Sequence, residues 1–403
     1  MSRRYGDDWG SVFITDTDVE AAFRSEVRQW LEVHGNEAPH IVAEPSEEEV
    51  KQWRRWSAML ANAGYAGITW PIEFGGAGRS YGELNVWFEE RARAQIPDHF
   101  GVIGLDMAGP TILAWGTPSQ KSRFLAPLLG AREIWCQGFS EPGSGSDLAS
   151  ARTKAVLEGD EWVVSGQKVW SSFASVADWC LLLVRTDPTV VKHKGLSLLL
   201  VDMKSPGIEV RPLRQITGDP EFSEIFFTNV RVPRESIIGG PGDGWRAAMT
   251  TLEHERGTHG VALSAQLGAE LDQLVALAKR PGTKQRRPAD DPFVRDRITQ
   301  LWIDVQALRV TNLRVLSELG ETGRLDPSSS IGKLRWSELN QRLATIATDV
   351  LGIDGLQSGP HAVDGGRWLY RRLRTRGNTI EAGTSEILRN IVAERVVGLP
   401  RGH

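Results

Sequence analysis

Three stretches of the chain concentrate residue types that can do chemistry. Gln137-Gly-Phe-Ser-Glu-Pro-Gly-Ser-Gly-Ser-Asp147 runs out of an apolar, strand-like segment into a loop, with three glycines and three serines in all. Such a loop shows backbone amides and small hydroxyls to whatever approaches closely, and a flat polar cofactor is one candidate. An ordinary serine-rich turn is the other, and the local sequence does not choose between them. Gly240 to Gly244 is also glycine-rich. It lacks G-x-G-x-x-G spacing and no βαβ unit precedes it, so it reads as a domain connection. His254-Glu255 with His259 imitates a zinc helix. Two ligands on one helical face need a separation of four, whereas five places them about 140° apart at roughly 100° per residue, so no metal is expected. Cys136 and Cys180 sit in apolar runs without the neighbours of a nucleophile, and read as free buried thiols of a reducing compartment.

The elements that must carry these residues are legible in the apolar period. Val19, Phe23, Val27 and Leu31 recur every four residues, with Trp30 widening the stripe and Asp18 as a candidate cap. Ser46 with Glu49 forms a capping box for a second helix to about Ala63, and Tyr81 to Ala94 is a further one after the Pro71–Gly78 break. From Glu133 to about Arg234 the texture changes to short β-branched runs, Glu161–Val164, Trp179–Val184, Leu196–Val201 and Glu224–Val230, separated by turn signals. Long helical patterns return over Trp245–Lys279, Pro292–Leu319, Pro327–Leu351 and Gly383–Val397, interrupted by the charged loop Arg280–Asp291.

This order predicts an α+β multidomain fold in three parts. Residues 1–130 form an N-terminal α-helical domain, 131–241 a small central β-domain, barrel-like or of two packed sheets, and 242–403 a C-terminal four-helix bundle. At 403 residues the chain is past the size at which one core stops growing. With 47 Lys plus Arg against 51 Asp plus Glu, the net charge of −4 gives no positive field for nucleic acid. No apolar run approaches the roughly 18 residues of a membrane span, and Met1 to Asp8 lack a signal-peptide plan, so a cytoplasmic protein is expected.

Within this frame the 137–147 segment resembles the flavin-contact signature of the acyl-CoA dehydrogenases, S-E-P-G-x-G-S-D. Four further stretches similar to the family follow in order: Gly166-Gln-Lys-Val-Trp170-Ser-Ser172, Asn229-Val-Arg-Val-Pro233, the glycine-rich entry to a long helix, and Gly383-Thr-Ser-Glu-Ile387. The resemblance covers nearly the whole chain. It implies an FAD-dependent enzyme that removes two hydrogens from an acyl-CoA thioester, passes electrons to an electron-transfer flavoprotein, and assembles as a homotetramer or an α2β2 hetero-oligomer. It further implies that Phe139 and Ser140 meet the pyrimidine edge of the flavin, that Trp170 and Ser172 cover its other side, and that Gly145 and Ser146 border the passage for the pantetheine arm. Thr384 and Glu386 would lie near the ribityl and pyrophosphate portion, and the backbone N–H of Ala382 would hold the thioester carbonyl.

The chain departs from the best-known members at the base. Their catalytic glutamate stands immediately before the Gly-Thr pair, where this chain has Ala382 and carries Glu381 one place earlier. Other members place the base in a Glu-Arg pair on the helix after the β-domain, and Glu255-Arg256 matches that pattern, with Arg256 expected at the CoA portion. Glu381 then reads as a solvated or salt-bridged carboxylate. The Arg-x-x-Phe-Gly stretch that reaches a neighbour's FAD is missing, and Leu351-Gly-Ile-Asp-Gly-Leu356 keeps only part of the adenosine-side turn. Either Arg280, Arg286 or Arg287 substitutes, or a different subunit completes that half-site. The alternatives on the same fold are an acyl-CoA oxidase or flavin monooxygenase, which peroxide formation on exposure to air would reveal, and a non-catalytic partner subunit, which would lack bound flavin.

Overall fold

The computed structural model describes residues 15–40, 42, 44–281 and 286–401. Met1 to Asp8, and positions 282–285 within the Arg280–Asp291 loop, lie outside the described residues.

Among the described residues, five α-helices precede the first strand: α1 (Asp18–His34), α2 (Glu47–Asn62), α3 (Tyr81–Arg93), α4 (Gly109–Trp115) and α5 (Pro118–Leu129). Four of them start at reciprocal capping boxes, Thr17/Glu20, Ser46/Glu49, Ser80/Glu83 and Thr117/Gln120. The cap of α1 is thus Thr17 and not Asp18. Only Thr17 has a glutamate three residues on that can return a bond to its backbone N–H, while Asp18 sits in the first turn, where the helix dipole favours it. The apolar stripe begins at Phe23, since Val19 is exposed, and it packs with Trp56, Leu60 and Trp87 against Val261, Ala262 and Leu316 of later helices.

The strands are β1 (Trp135–Gly138), β2 (Lys154–Glu158), β3 (Glu161–Ser172), β4 (Trp179–Arg185), β5 (Leu196–Asp202), β6 (Ile208–Leu213), β7 (Phe222–Pro233) and β8 (Ile237–Ile238). They hydrogen-bond in the order β6-β7-β3-β2-β4-β5-β8, with β1 parallel to β4. Period-two alternation explains how this one sheet acquires two cores. Cys180, Leu182 and Val184 of β4 pack with Val164 of β3 and Ile225 and Phe227 of β7, so the sheet bends over onto itself. Leu181 and Leu183, on the opposite face, pack with Phe124 and Leu128 of α5. Cys136 and Cys180 are free, buried and opposite one another in the β1–β4 register.

The chain returns to helices α6 (Gly244–Arg256), α7 (Thr258–Lys279), α8 (Pro292–Thr322), α9 (Ser329–Leu351), α10 (Arg367–Arg374) and α11 (Ser385–Ile391). A Cβ at Gly244 would overlap the Ser197 backbone, so the entry to α6 lies directly on β5. The continuous helix expected over Trp245–Lys279 is two. Gly257, at φ −84° and ψ −97°, leaves the helical region, and a Cβ there would overlap Leu325. The three long helices α7, α8 and α9 share a core of Leu271, Leu274, Leu308, Leu343 and Ile346, and short α10 adds Trp368 to it. No helix among the described residues is long and apolar enough to cross a membrane.

Candidate active site

The 137–147 loop is tied to the end of β3 by a buried ion pair. Lys168, fully buried, donates to the Phe139 carbonyl and to Glu141 Oε1, both at 2.9 Å. Glu141 also accepts from the backbone N–H groups of Arg152 and Thr153, at 2.7 and 2.8 Å. Burial pulls the Lys168 pKa down against the pull of Glu141. Burial alone would raise the Glu141 carboxyl, but Lys168 and these hydrogen bonds hold it below the usual range. Val169 N–H donates to the Ser140 carbonyl at 2.9 Å, which sets Ser140 beside Trp170. A bulge between Lys168 and Ser171 turns Trp170 out of the ladder at φ +64°, leaving the residue 59% exposed. Ser172 closes the strand, and Gly145 and Ser146 lie exposed at the loop tip.

Glu255 and Arg256 form the last turn of α6, just before the break at Gly257. Glu255 is half-buried as a residue, yet protein surrounds its carboxyl, and this burial pushes its pKa above the ordinary value despite the charges of His259 and Arg256. Burial lowers the Arg256 guanidinium, which makes no ion pair within 4 Å among the described residues. His259 hydrogen-bonds Asp106 at 3.0 Å. Its burial works against protonation, but Asp106 outweighs that and holds the imidazole above its ordinary value.

The third component is the turn between α10 and α11. Glu381 is taken up by Arg374 at 3.3 Å and by the Asn378 side-chain amide at 2.6 Å, which is the salt-bridged state expected of it. Ala382 and Gly383 both adopt left-handed backbone, φ +53° and +93°. Glycine enters that region freely, whereas alanine there is strained and is held by its surroundings. Thr384 caps α11 through the Ile387 N–H. Glu386 is exposed in the first turn, its carboxyl lowered by hydrogen bonds from its own amide and the Thr384 hydroxyl. Lys333 of α9, buried, donates to the carbonyls of Asn378 and Gly383, both at 2.8 Å. Its pKa is pushed down to about 8 by burial, with Glu381 and Glu255 opposing.

These parts meet. The Trp170 ring stands edge-on to Phe222 at 5.9 Å, Arg374 lies over Phe222 at 5.5 Å, and Arg374 holds Glu381. Glu381 and Lys333 are in turn within electrostatic reach of Glu255. The β3 end, the last turn of α6 and the Ala382 turn therefore surround one region. Features there suit a large flat ligand with polar edges such as FAD. Trp170 is exposed, and among the described residues a Cβ at Gly143 or Gly145 would meet nothing and the buried hydroxyls of Ser171 and Ser385 have no hydrogen-bond partner. Arg280 is bonded to Asp364 and Arg287 to Asp290, so two of the three arginines considered for a neighbour's cofactor are already paired within the chain.

Sequence reasoning missed Glu141, Lys168 and Lys333. The signal available for the two lysines was a charge on an otherwise apolar face: Lys168 within a β-run, and Lys333 three residues before Trp336 on the stripe that continues through Leu343 and Ala347.

Family models match almost end to end: acyl-CoA dehydrogenase N-terminal domain over residues 17–132, middle domain over 136–230 and C-terminal domain over 242–397. Acyl-CoA dehydrogenase IpdE1 of Mycobacterium tuberculosis is 42% identical over 393 residues, covering 95% of this chain and 98% of that one. Acyl-CoA dehydrogenase FadE34 of the same organism is 40% identical over 90% of this chain and 48% of its own length. Among solved structures, the Tcur3481-Tcur3483 steroid ACAD superposes with a TM-score of 0.82 at 29% identity, covering 96% of this chain and 99% of that one. The ChsE4-ChsE5 complex from Mycobacterium tuberculosis gives 0.83 at 28%, covering 96% and 100%. With all three domain models matched in order and whole-length relatives above 40% identity, the chain belongs to the acyl-CoA dehydrogenase family of oxidoreductases.

Proposed function

We propose that this protein oxidises the Cα–Cβ bond of an acyl-CoA thioester to the enoyl-CoA, with Glu255 as the base. The observation that carries this reading is the contrast between two carboxylates. Glu255 is desolvated at the end of a helix with its pKa raised, while Glu381 is occupied by Arg374 and Asn378. A carboxylate whose charge is poorly solvated is the stronger base, and a helix end holds it steady. The Ala382 N–H would donate to the thioester oxygen and stabilise the negative charge that builds there as the Cα proton leaves. Phe139, Ser140, Trp170 and Ser172 would hold the flavin of FAD, with Thr384 and Glu386 toward its ribityl and pyrophosphate portion, and Gly145 and Ser146 would border the substrate. When bound, FAD supplies the acceptor for the hydrogen and electron pair that leave Cβ, and electrons pass on to an electron-transfer flavoprotein.

A bulky, ring-containing acyl group would suit a cavity of about 350 Å³ in the helical part of the protein. It lies between α3, α4 and the α6–α7 junction, with Tyr65, Trp70, Trp87 and Phe88 in its wall and His254 and Thr258 on either side of Glu255 in the chain. The similarity to a steroid ACAD points the same way. Two solved relatives bear double names, ChsE4-ChsE5 and Tcur3481-Tcur3483, which favours the α2β2 form over the homotetramer. The test is anaerobic mixing of the FAD-loaded protein with ring-containing and straight-chain acyl-CoA esters. Bleaching of the flavin band and an enoyl product two mass units lighter are expected with the former. A loaded protein bleached by no acyl-CoA would refute the reading.

A further inference from the structure

We propose that Lys333 is a positioning residue for this reaction: by gripping the carbonyls of Asn378 and Gly383 it sets the Ala382–Gly383 turn, and so the direction of the Ala382 N–H. The inference rests on the role given to that N–H under the proposed function. The two carbonyls lie five residues apart in the chain, yet both come within 2.8 Å of one ammonium. Without it they would converge on each other unpaired, and buried acceptors without donors rearrange. What lies between their attachment points is the segment that must be held, with Ala382 at φ +53°. An alanine keeps a left-handed conformation only where its surroundings over-determine it.

The rest of α9 supports the same segment from the same face. Asn340 donates to the Asn378 side-chain oxygen at 2.9 Å, and Gln341 donates to the Thr375 carbonyl at 2.9 Å and the Thr379 hydroxyl at 3.1 Å. Those contacts fix the start of the turn. Lys333 alone among them touches Gly383, next to the amide that matters. A lysine suits the position because its three donors can serve converging acceptors from one point. Burial, and to a lesser degree Arg256 of α6, lowers the ammonium while Glu381 of the turn and Glu255 of α6 oppose them, and at about 8 it stays largely protonated at neutral pH.

The test uses the FAD-loaded protein and an aryl-conjugated enoyl-CoA, of the cinnamoyl type, as an unreactive chromophore. Its absorption moves to the red when a donor polarises its carbonyl, which reports on the Ala382 N–H and not on general stability. Lys333→Met is expected to lose at least half of the red shift. It should also slow flavin reduction by saturating acyl-CoA about 10- to 100-fold, below the full loss of an oxyanion donor because the N–H is misdirected and not removed. The dissociation constant of the probe should stay within about threefold, since the CoA portion is held elsewhere. If the methionine prevents folding, Lys333→Gln, whose side chain ends one atom short of the lysine ammonium and so cannot reach both carbonyls, is read by the same criteria. A folded variant with normal FAD content, whose red shift and reduction rate both stay within twofold of the parent, overturns the proposal while leaving the proposed function standing. A parent protein that neither shifts the probe nor is reduced by any acyl-CoA sinks both.

Discussion

Replacing Glu255 by Gln separates two properties that burial ties together. The carboxyl is desolvated, so its folded-state pKa lies above the ordinary value of 4.5. A group raised in this way favours the fold when protonated. That contribution is complete below about pH 4.5 and is lost as the pH rises through the folded value, beyond which the buried charge counts against the fold. Each unit of elevation corresponds to about 1.4 kcal/mol. Glutamine is isosteric and always neutral, so Glu255→Gln should match or exceed the parent in denaturant midpoint at pH 8, and the two should converge toward pH 4.5. Its flavin reduction by a good acyl-CoA should nevertheless fall at least about 100-fold, the lower end of what a general base contributes. Glu381→Gln tests the converse. It removes a partly exposed ion pair with Arg374, which keeps Glu221 as a partner, so about 0.5–1 kcal/mol of stability is expected to go and the reduction rate should stay within a few-fold. Stopped-flow bleaching of the flavin band reads the rates, and urea titrations at the two pH values read the stabilities. If Glu381→Gln stops the reaction and Glu255→Gln does not, with flavin bound in both, the base is the turn glutamate and the argument from burial fails.

Two other substitutions test separate parts of the site. Lys168→Met leaves Glu141 buried without its cation, and removing one partner of such a pair is expected to lower stability by about 3–5 kcal/mol in chemical denaturation; a loss under about 1 kcal/mol would show that the pair does not hold the 139–141 segment. Arg256→Gln should raise KM for CoA esters about tenfold with little change in kcat, and leave pantetheine thioesters unaffected, because a guanidinium without a protein partner suits polar and phosphate oxygens of the CoA portion. Equal losses on both substrate classes would move Arg256 out of the CoA site.

The fold order was legible because it rests on local pattern, whereas the roles given to the site segments came from the family resemblance. Phe23, Val27 and Leu31 give the α1 stripe, Ser46 with Glu49 the start of α2, and the β-branched runs the strands. What stayed hidden depends on partners distant in the chain. Nothing near Gly257 signals a break, because the side chain that fills the space of its missing Cβ is Leu325. Asp18 and Thr17 are both acceptable caps by type, and only the reciprocal bond of Glu20 decides between them. At the site, the difference between Glu255 and Glu381 lies in what surrounds them: a desolvating pocket in one case, Arg374 from α10 and the Asn378 amide in the other.

The two buried lysines follow from the division of labour in such a site. A base can be carried by a helix, whose own hydrogen bonds fix its direction. A backbone donor and a cofactor edge must come from loops, since in helices and strands the amide is already spent within the element. Loops lack that internal order and have to be held from outside. Lys168 grips the Phe139 carbonyl and Glu141 from β3, and Lys333 grips Asn378 and Gly383 from α9. Each is a long side chain from a regular element, desolvated, with its charge met by loop oxygens. The strained residues Trp170 and Ala382 stand within two positions of a gripped segment or of the lysine itself. Strain at those positions and burial of those charges are therefore two sides of one construction, which fixes the geometry of two loops from neighbouring regular elements.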